Sequence, residues 1–161
     1  MARDGRWAPI LIGLVVASPL AAVVGIHSSR AQTPGTIAPA DKPFADHRLV
    51  LQLSDDDAKK QSLVISVAYN LLKFYGPDKI AIEVVTFGPG ITLLRADSPN
   101  RKFVDSLAAQ GVKFDLCMNT VETIKRQTGH VPAFNPKARP VEAGVAQILA
   151  LTEKGYILVR P

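Results

Sequence analysis

What most limits the fold of this chain is a change of period that recurs along residues 47–161. "RLVLQLS" (48–54) is a compact apolar run suited to a buried strand, and "DDDAKKQSLVISVAYNLLKFYG" (55–76) follows with helical spacing. Leu63, Val67, Leu71 and Phe74 recur along one stripe, with Val64, Ala68 and Tyr75 widening it. Acidic residues open this segment, where they complement the helix dipole, and Gly76-Pro77 stops it. "KIAIEVVTFG" (79–88) is again a strand, rich in Ile and Val. Ser98-Pro99 starts a second helix that carries Phe103, Val104, Leu107 and Ala108 inward and ends at Gly111.

"VKFDLCM" (112–118) reads as a third strand, after which Asn119 and Glu122 form a capping-box pattern for a short helix. A proline-punctuated loop with a short strand near 140–143, a helix over 145–154 and a last strand, "YILVR" (156–160), complete the series. Strands that alternate with helices build a mostly parallel sheet with helices on both faces. The prediction is an α/β fold in a single three-layer domain.

Cys117 is the only cysteine in 161 residues, so no disulfide forms within the chain. Its position gives the thiol interest. In an open parallel sheet, ligands and chemistry collect at the carboxyl ends of strands, above all where strand order reverses. Cys117 ends the third predicted strand and precedes a helix start, where unpaired N–H groups and the positive end of the dipole stabilise a thiolate. Alternation places Cys117 with Lys113 and Asp115 on one strand face, opposite Phe114, Leu116 and Met118. A buried, inert thiol is the other reading of the same residue.

Five further residues, Asn70, Gly88, Gly90, Asn119 and Thr120, are candidates for the same crevice or its approaches. Asn119 and Thr120 lie in the helix start, and the Gly88-Pro89-Gly90 turn lies at another strand end. That turn matches neither a P-loop nor a dinucleotide fingerprint, so ordinary turn chemistry accounts for it. Asn70 falls among the apolar residues of the first helix and is expected to point toward the sheet, where its amide needs a partner. His27, His47 and His130 have no metal-ligand spacing, and no metal or cofactor is expected.

The N-terminus sets the compartment. Arg3 and Arg6 precede an apolar stretch at residues 7–26, and Ser29-Arg30-Ala31 offers small residues around a cleavage point. Residues 1–31 thus read as a secretory signal, which predicts a periplasmic or secreted protein. The alternative is an uncleaved anchor in the inner membrane through residues 7–26. Residues 32–46, with three prolines and a glycine, read as a flexible or extended spacer before the domain at 47–161. Without residues 1–31, the 19 Lys+Arg and 14 Asp+Glu fall to 16 and 13, a net charge of +3. That small excess, with no basic stripe and no interleaved aromatics, excludes nucleic acid as an expected partner.

Four segments in order, "LVLQLSDDDAKKQSLVISVAYNLLKFYG", "IEVVTFGPGITLL", "GVKFDLCMNTV" and "VEAGVAQILALTEKGYILVRP", resemble the DsrE/DsrF-like proteins, in particular their exported branch. The resemblance covers residues 48–161. It implies a DsrEFH-like domain with flavodoxin-like layering that assembles as a homo-oligomer, a trimer or hexamer. It also implies that Cys117, which matches the cysteine after the third strand, carries sulfur as a persulfide between a donor and an acceptor protein. Asn70 and the Gly88-Pro89-Gly90 turn match recurring features of the exported branch. The segment "CMNTVETIK" departs from the cysteine loop of the relay members, which act in the cytoplasm.

Overall fold

The computed structural model describes residues 42–161. The expected signal or anchor (1–31) and residues 32–41 of the spacer lie outside them. In chain order come β1 (His47–Leu53), α1 (Ala58–Tyr75), β2 (Ile80–Thr86), a 3-10 segment (Gly88–Leu94) and α2 (Arg101–Ala109). β3 (Lys113–Cys117), α3 (Met118–Thr128), β4 (Ala138–Val141), α4 (Gly144–Glu153) and β5 (Ile157–Val159) follow. The strands form one five-stranded sheet in the order β4-β3-β2-β1-β5, and every pairing is parallel. The α/β fold read from the alternation is the fold observed.

Sidedness explains the strand sequences. Helices α1, α2 and α3, with the 3-10 segment, pack residues such as Val64, Leu93, Val104 and Val121 on one face of the sheet. α4 alone packs Ile148 and Leu151 on the other face, against Val50, Ala81 and Val85. β2 lies at the centre with both faces covered, so all seven of its residues are buried and its sequence is almost continuously apolar. Each fully buried Leu, Ile or Val contributes roughly 1.5–3 kcal/mol relative to exposure.

Helix ends follow local chemistry, with shifts from the sequence reading. The Asp57 carboxylate accepts the Lys60 amide at 2.9 Å and caps α1, so Asp55 and Asp56 precede the helix rather than form its first turn. The face that α1 turns to the sheet is the stripe Gln61, Val64, Ala68 and Leu72. Leu63 and Phe74, expected inside, are 48% and 80% exposed, and Phe103 of α2 is 58% exposed. Both stripes on α1 repeat at helical spacing, and packing selected the one beside that expected. α3 begins two residues earlier than the capping-box pattern implied, with Cys117 rather than Asn119 as its N-cap.

The last residues of the spacer are seated on the domain. Lys42 reaches the carbonyls of Pro77, Ile80 and Gln110 through its ammonium group, and Asp46 donates its amide to Lys79. Gly111 leaves the room this needs, since a Cβ there would stand 2.6 Å from the Lys42 side chain.

Candidate functional site

The chain leaves β3 toward the face covered by α3 and leaves β4 toward the face covered by α4. These strands are neighbours, and Cys117 is in register with Val141 at their carboxyl ends. Adjacent strands whose connections depart to opposite faces open a crevice at that edge, the place where open α/β sheets bind ligands. Cys117 occupies it.

Two helix starts converge on the sulfur. Cys117 is the N-cap of α3, in extended conformation with φ −69° and ψ 112°. The amide of Gly144, the first residue of α4, donates to Cys117 Sγ at 3.3 Å. Gly144 is buried, and a Cβ there would meet Phe87 Cβ at 3.0 Å, so a glycine lets the α4 start close onto the thiol beside that ring. The amide of Asn119 bonds the Glu142 carbonyl at 3.2 Å and ties the α3 start to the loop before α4.

Burial by itself would raise the Cys117 pKa, since desolvation disfavours the thiolate. The Thr120 hydroxyl, the Gly144 amide and the amides of Thr120 and Asn119 outweigh that effect and hold the thiol below its ordinary value. The side chain is nevertheless 5% exposed, so the sulfur sits at the rim but beneath a cover.

The sequence-predicted residues divide. Cys117, Asn119 and Thr120 come together, and Gly88 joins them because its amide donates to Thr120 Oγ1 at 3.0 Å. Gly88 has φ 53°, a left-handed conformation that favours glycine. Gly90 lies elsewhere: a Cβ there would stand 2.3 Å from the Leu53 carbonyl oxygen, so its role is close packing against β1. Asn70 corrects the expectation most clearly. It is exposed, and lines a groove between α1 and α2 with Tyr69 and Phe103 rather than facing the sheet. The sheet-facing stripe of α1 excludes position 70, so its amide meets solvent and needs no protein partner.

The sequence reading passed over a second polar group on the α4 face. Glu83 and Asp115 are 3% and 0% exposed, and both receive the Arg139 guanidinium. The signal was present in "IAIEVV", where a lone carboxylate interrupts a buried strand. Among the described residues, no group of His, Cys, Asp and Glu could hold a metal ion.

No protein-family model matches the chain, and no curated protein does. Among solved structures it is similar to MTH1491, a protein of unknown function from Methanobacterium thermoautotrophicum. The two are 32% identical over 72% of this chain and 100% of that one, with a TM-score of 0.64.

Proposed function

We propose that this chain, which belongs to the same family as MTH1491, is an exported DsrE-like sulfur carrier working through a persulfide on Cys117. The observation that carries this reading is the Gly144 amide on Cys117 Sγ at 3.3 Å, at the start of one helix and the N-cap of another. Amides so placed favour the thiolate and, equally, a persulfide anion in its place. With one cysteine in the chain, no internal thiol resolves the adduct, which suits a carrier that hands sulfur on.

The transfer balances without an oxidant. The Cys117 thiolate attacks the outer sulfur of a donor persulfide. The donor's S–S bond breaks as the new one forms, and the donor leaves as a thiolate that takes up a proton. An acceptor thiolate then removes the outer sulfur and returns Cys117 to its starting state. The narrow access to a residue 5% exposed favours a slim donor such as an inorganic polysulfide.

Export rests on the charged start and apolar stretch of residues 1–31. Assembly as a homo-oligomer draws support from Val145, Leu149 and Ile157, which are 57%, 59% and 68% exposed around the edge strand β5.

The burial of Cys117 favours a second reading, a binding or assembly module in which the sulfur only packs. Exposing the native protein to polysulfide and weighing it separates the two. A +32 Da adduct on Cys117, absent from Cys117→Ser, supports the carrier. A thiol that gains sulfur only after denaturation leaves the module.

A further inference from the structure

A cavity of about 330 Å³ opens beneath the flank of α4, on the face of the sheet that also carries Cys117 but toward the other end of the strands. Arg48, Glu83, Lys113, Arg139, Gln147 and Tyr156 supply its polar wall. Its size is at the small end of the range for ligand pockets, roughly 300–1,000 Å³.

Glu83 organises the floor. Lys113 Nζ lies 3.4 Å from it, Arg139 donates to it, and Gln147 Nε2 and the Tyr156 hydroxyl each approach to 3.4 Å. Arg139 also holds Asp115 with two bonds, Nε to Oδ1 at 2.7 Å and Nη2 to Oδ2 at 3.0 Å. Two carboxylates and two cations here would make a neutral, closed ion-pair network. Two more cations stand at the cavity, however. The Arg48 guanidinium lies 5.8 Å above the Tyr156 ring, and Lys154 lines the mouth from the exposed end of α4. With Asp115, which lies behind the lining on Arg139, counted beside Glu83, the four cations of the lining leave a surplus of two positive charges around open volume. A network serving stability alone explains neither the surplus nor the space, because buried ion pairs contribute little over apolar packing of the same volume.

We infer that this cavity binds a small organic dianion, a phosphate monoester or a dicarboxylate, whose two charges offset the surplus of Arg48 and Lys154. Arg48 is braced by the Tyr156 ring, and a planar guanidinium suits either oxyanion through paired N–H bonds. Lys154 adds a point charge at the entrance. The inference is independent of sulfur chemistry, since none of these groups touches Cys117.

Titration calorimetry on the full chain tests it, with inorganic phosphate in one arm and succinate in the other, at constant ionic strength. Saturable binding of either probe is expected, weakened by about ten-fold or more in the Arg48→Ala/Lys154→Ala double variant. Both changes lie at the mouth, and an unchanged thermal melt without ligand verifies the fold. Binding of phosphate alone identifies the phosphate-ester class, binding of succinate alone identifies the dicarboxylate class, and binding of both identifies a pocket that reads charge. Absence of saturable binding in both arms, or equal binding by the double variant, overturns the inference. Cys117→Ser should bind as the native chain does, so failure of the sulfur reading leaves this result intact.

Discussion

Gly144 and Cys117 are 27 positions apart in sequence, yet the amide of one donates to the sulfur of the other at 3.3 Å. A helix start on one face of the sheet thus meets a strand end whose own helix leaves on the opposite face.

The first prediction concerns ionisation. Hydrogen bonds to the sulfur hold the folded Cys117 pKa below its ordinary value. Alkylation rates against pH should therefore reach half-maximum below the free-cysteine midpoint of about 8.5, and return to it in denaturant. Thr120→Val, which removes the hydroxyl, should move the native midpoint upward. A native midpoint at or above the free value would show that burial dominates.

Gly144→Ala tests how closely the α4 start must approach. Its Cβ would lie 3.0 Å from Phe87 Cβ and 3.1 Å from Cδ1, so a loss of about 1–3 kcal/mol in urea unfolding is expected. Combined with Phe87→Ala, which removes Cγ and Cδ1 but keeps Cβ, it should lose less than the sum of the two single losses, because the two positions are in contact and their effects do not add.

Gly90→Ala should be harsher. The obstacle is the Leu53 carbonyl oxygen at 2.3 Å, a backbone atom held within β1. A flexible side chain can swing aside, whereas this atom cannot, and a loss above about 3 kcal/mol or a failure to fold is expected. Stability close to that of the native chain would mean that β1 and the 3-10 segment separate readily.

Asp115 gives the protein a pH signature. Burial pushes its carboxyl from 3.8 up to about 6, outweighing the Arg139 bonds. Between those values the folded state keeps a proton that the unfolded chain has released. The contribution of Asp115 to stability therefore falls as pH rises through this window and levels off above it. Urea midpoints measured across the window should carry that slope, and Asp115→Asn should remove it.

Arg139→Met should cost about 3–5 kcal/mol, because Asp115 and Glu83 would remain buried without the cation they share. The Lys60–Asp55 bridge has both side chains well exposed, at 48% and 44%, and its removal should be close to neutral. Equal effects at the two sites would imply that the Arg139 cluster is as wet as the surface.

How much of this was readable depended on what kind of contact was involved. The alternation of "RLVLQLS" with a helical period fixes the α/β layering, since each pattern buries only one kind of surface. Strand alternation placed Lys113, Asp115 and Cys117 together, and they share a face in the structure. The orientation of α1 was not readable, because two adjacent stripes both repeat at helical spacing. The choice between them put Asn70 in solvent. The Gly144 contact was hidden because a backbone amide leaves no letter in the sequence beyond the glycine that allows its approach. Glu83 was visible as a charge within an apolar run, but its partner Arg139 stands 56 positions away, a distance that no spacing rule predicts.

The strand order has a consequence for the chain as it is made. β1 and β5 are neighbours in the sheet, although β5 follows about a hundred residues after β1 ends. During synthesis the outer margin of β1 thus waits, with its amides and carbonyls unmatched, while every other strand emerges. Three residues, Ile157–Val159, finally close it. Nascent chains stalled before that point would present a ready template to one another, and a chaperone holding this margin would be guarding the one seam that translation leaves open longest.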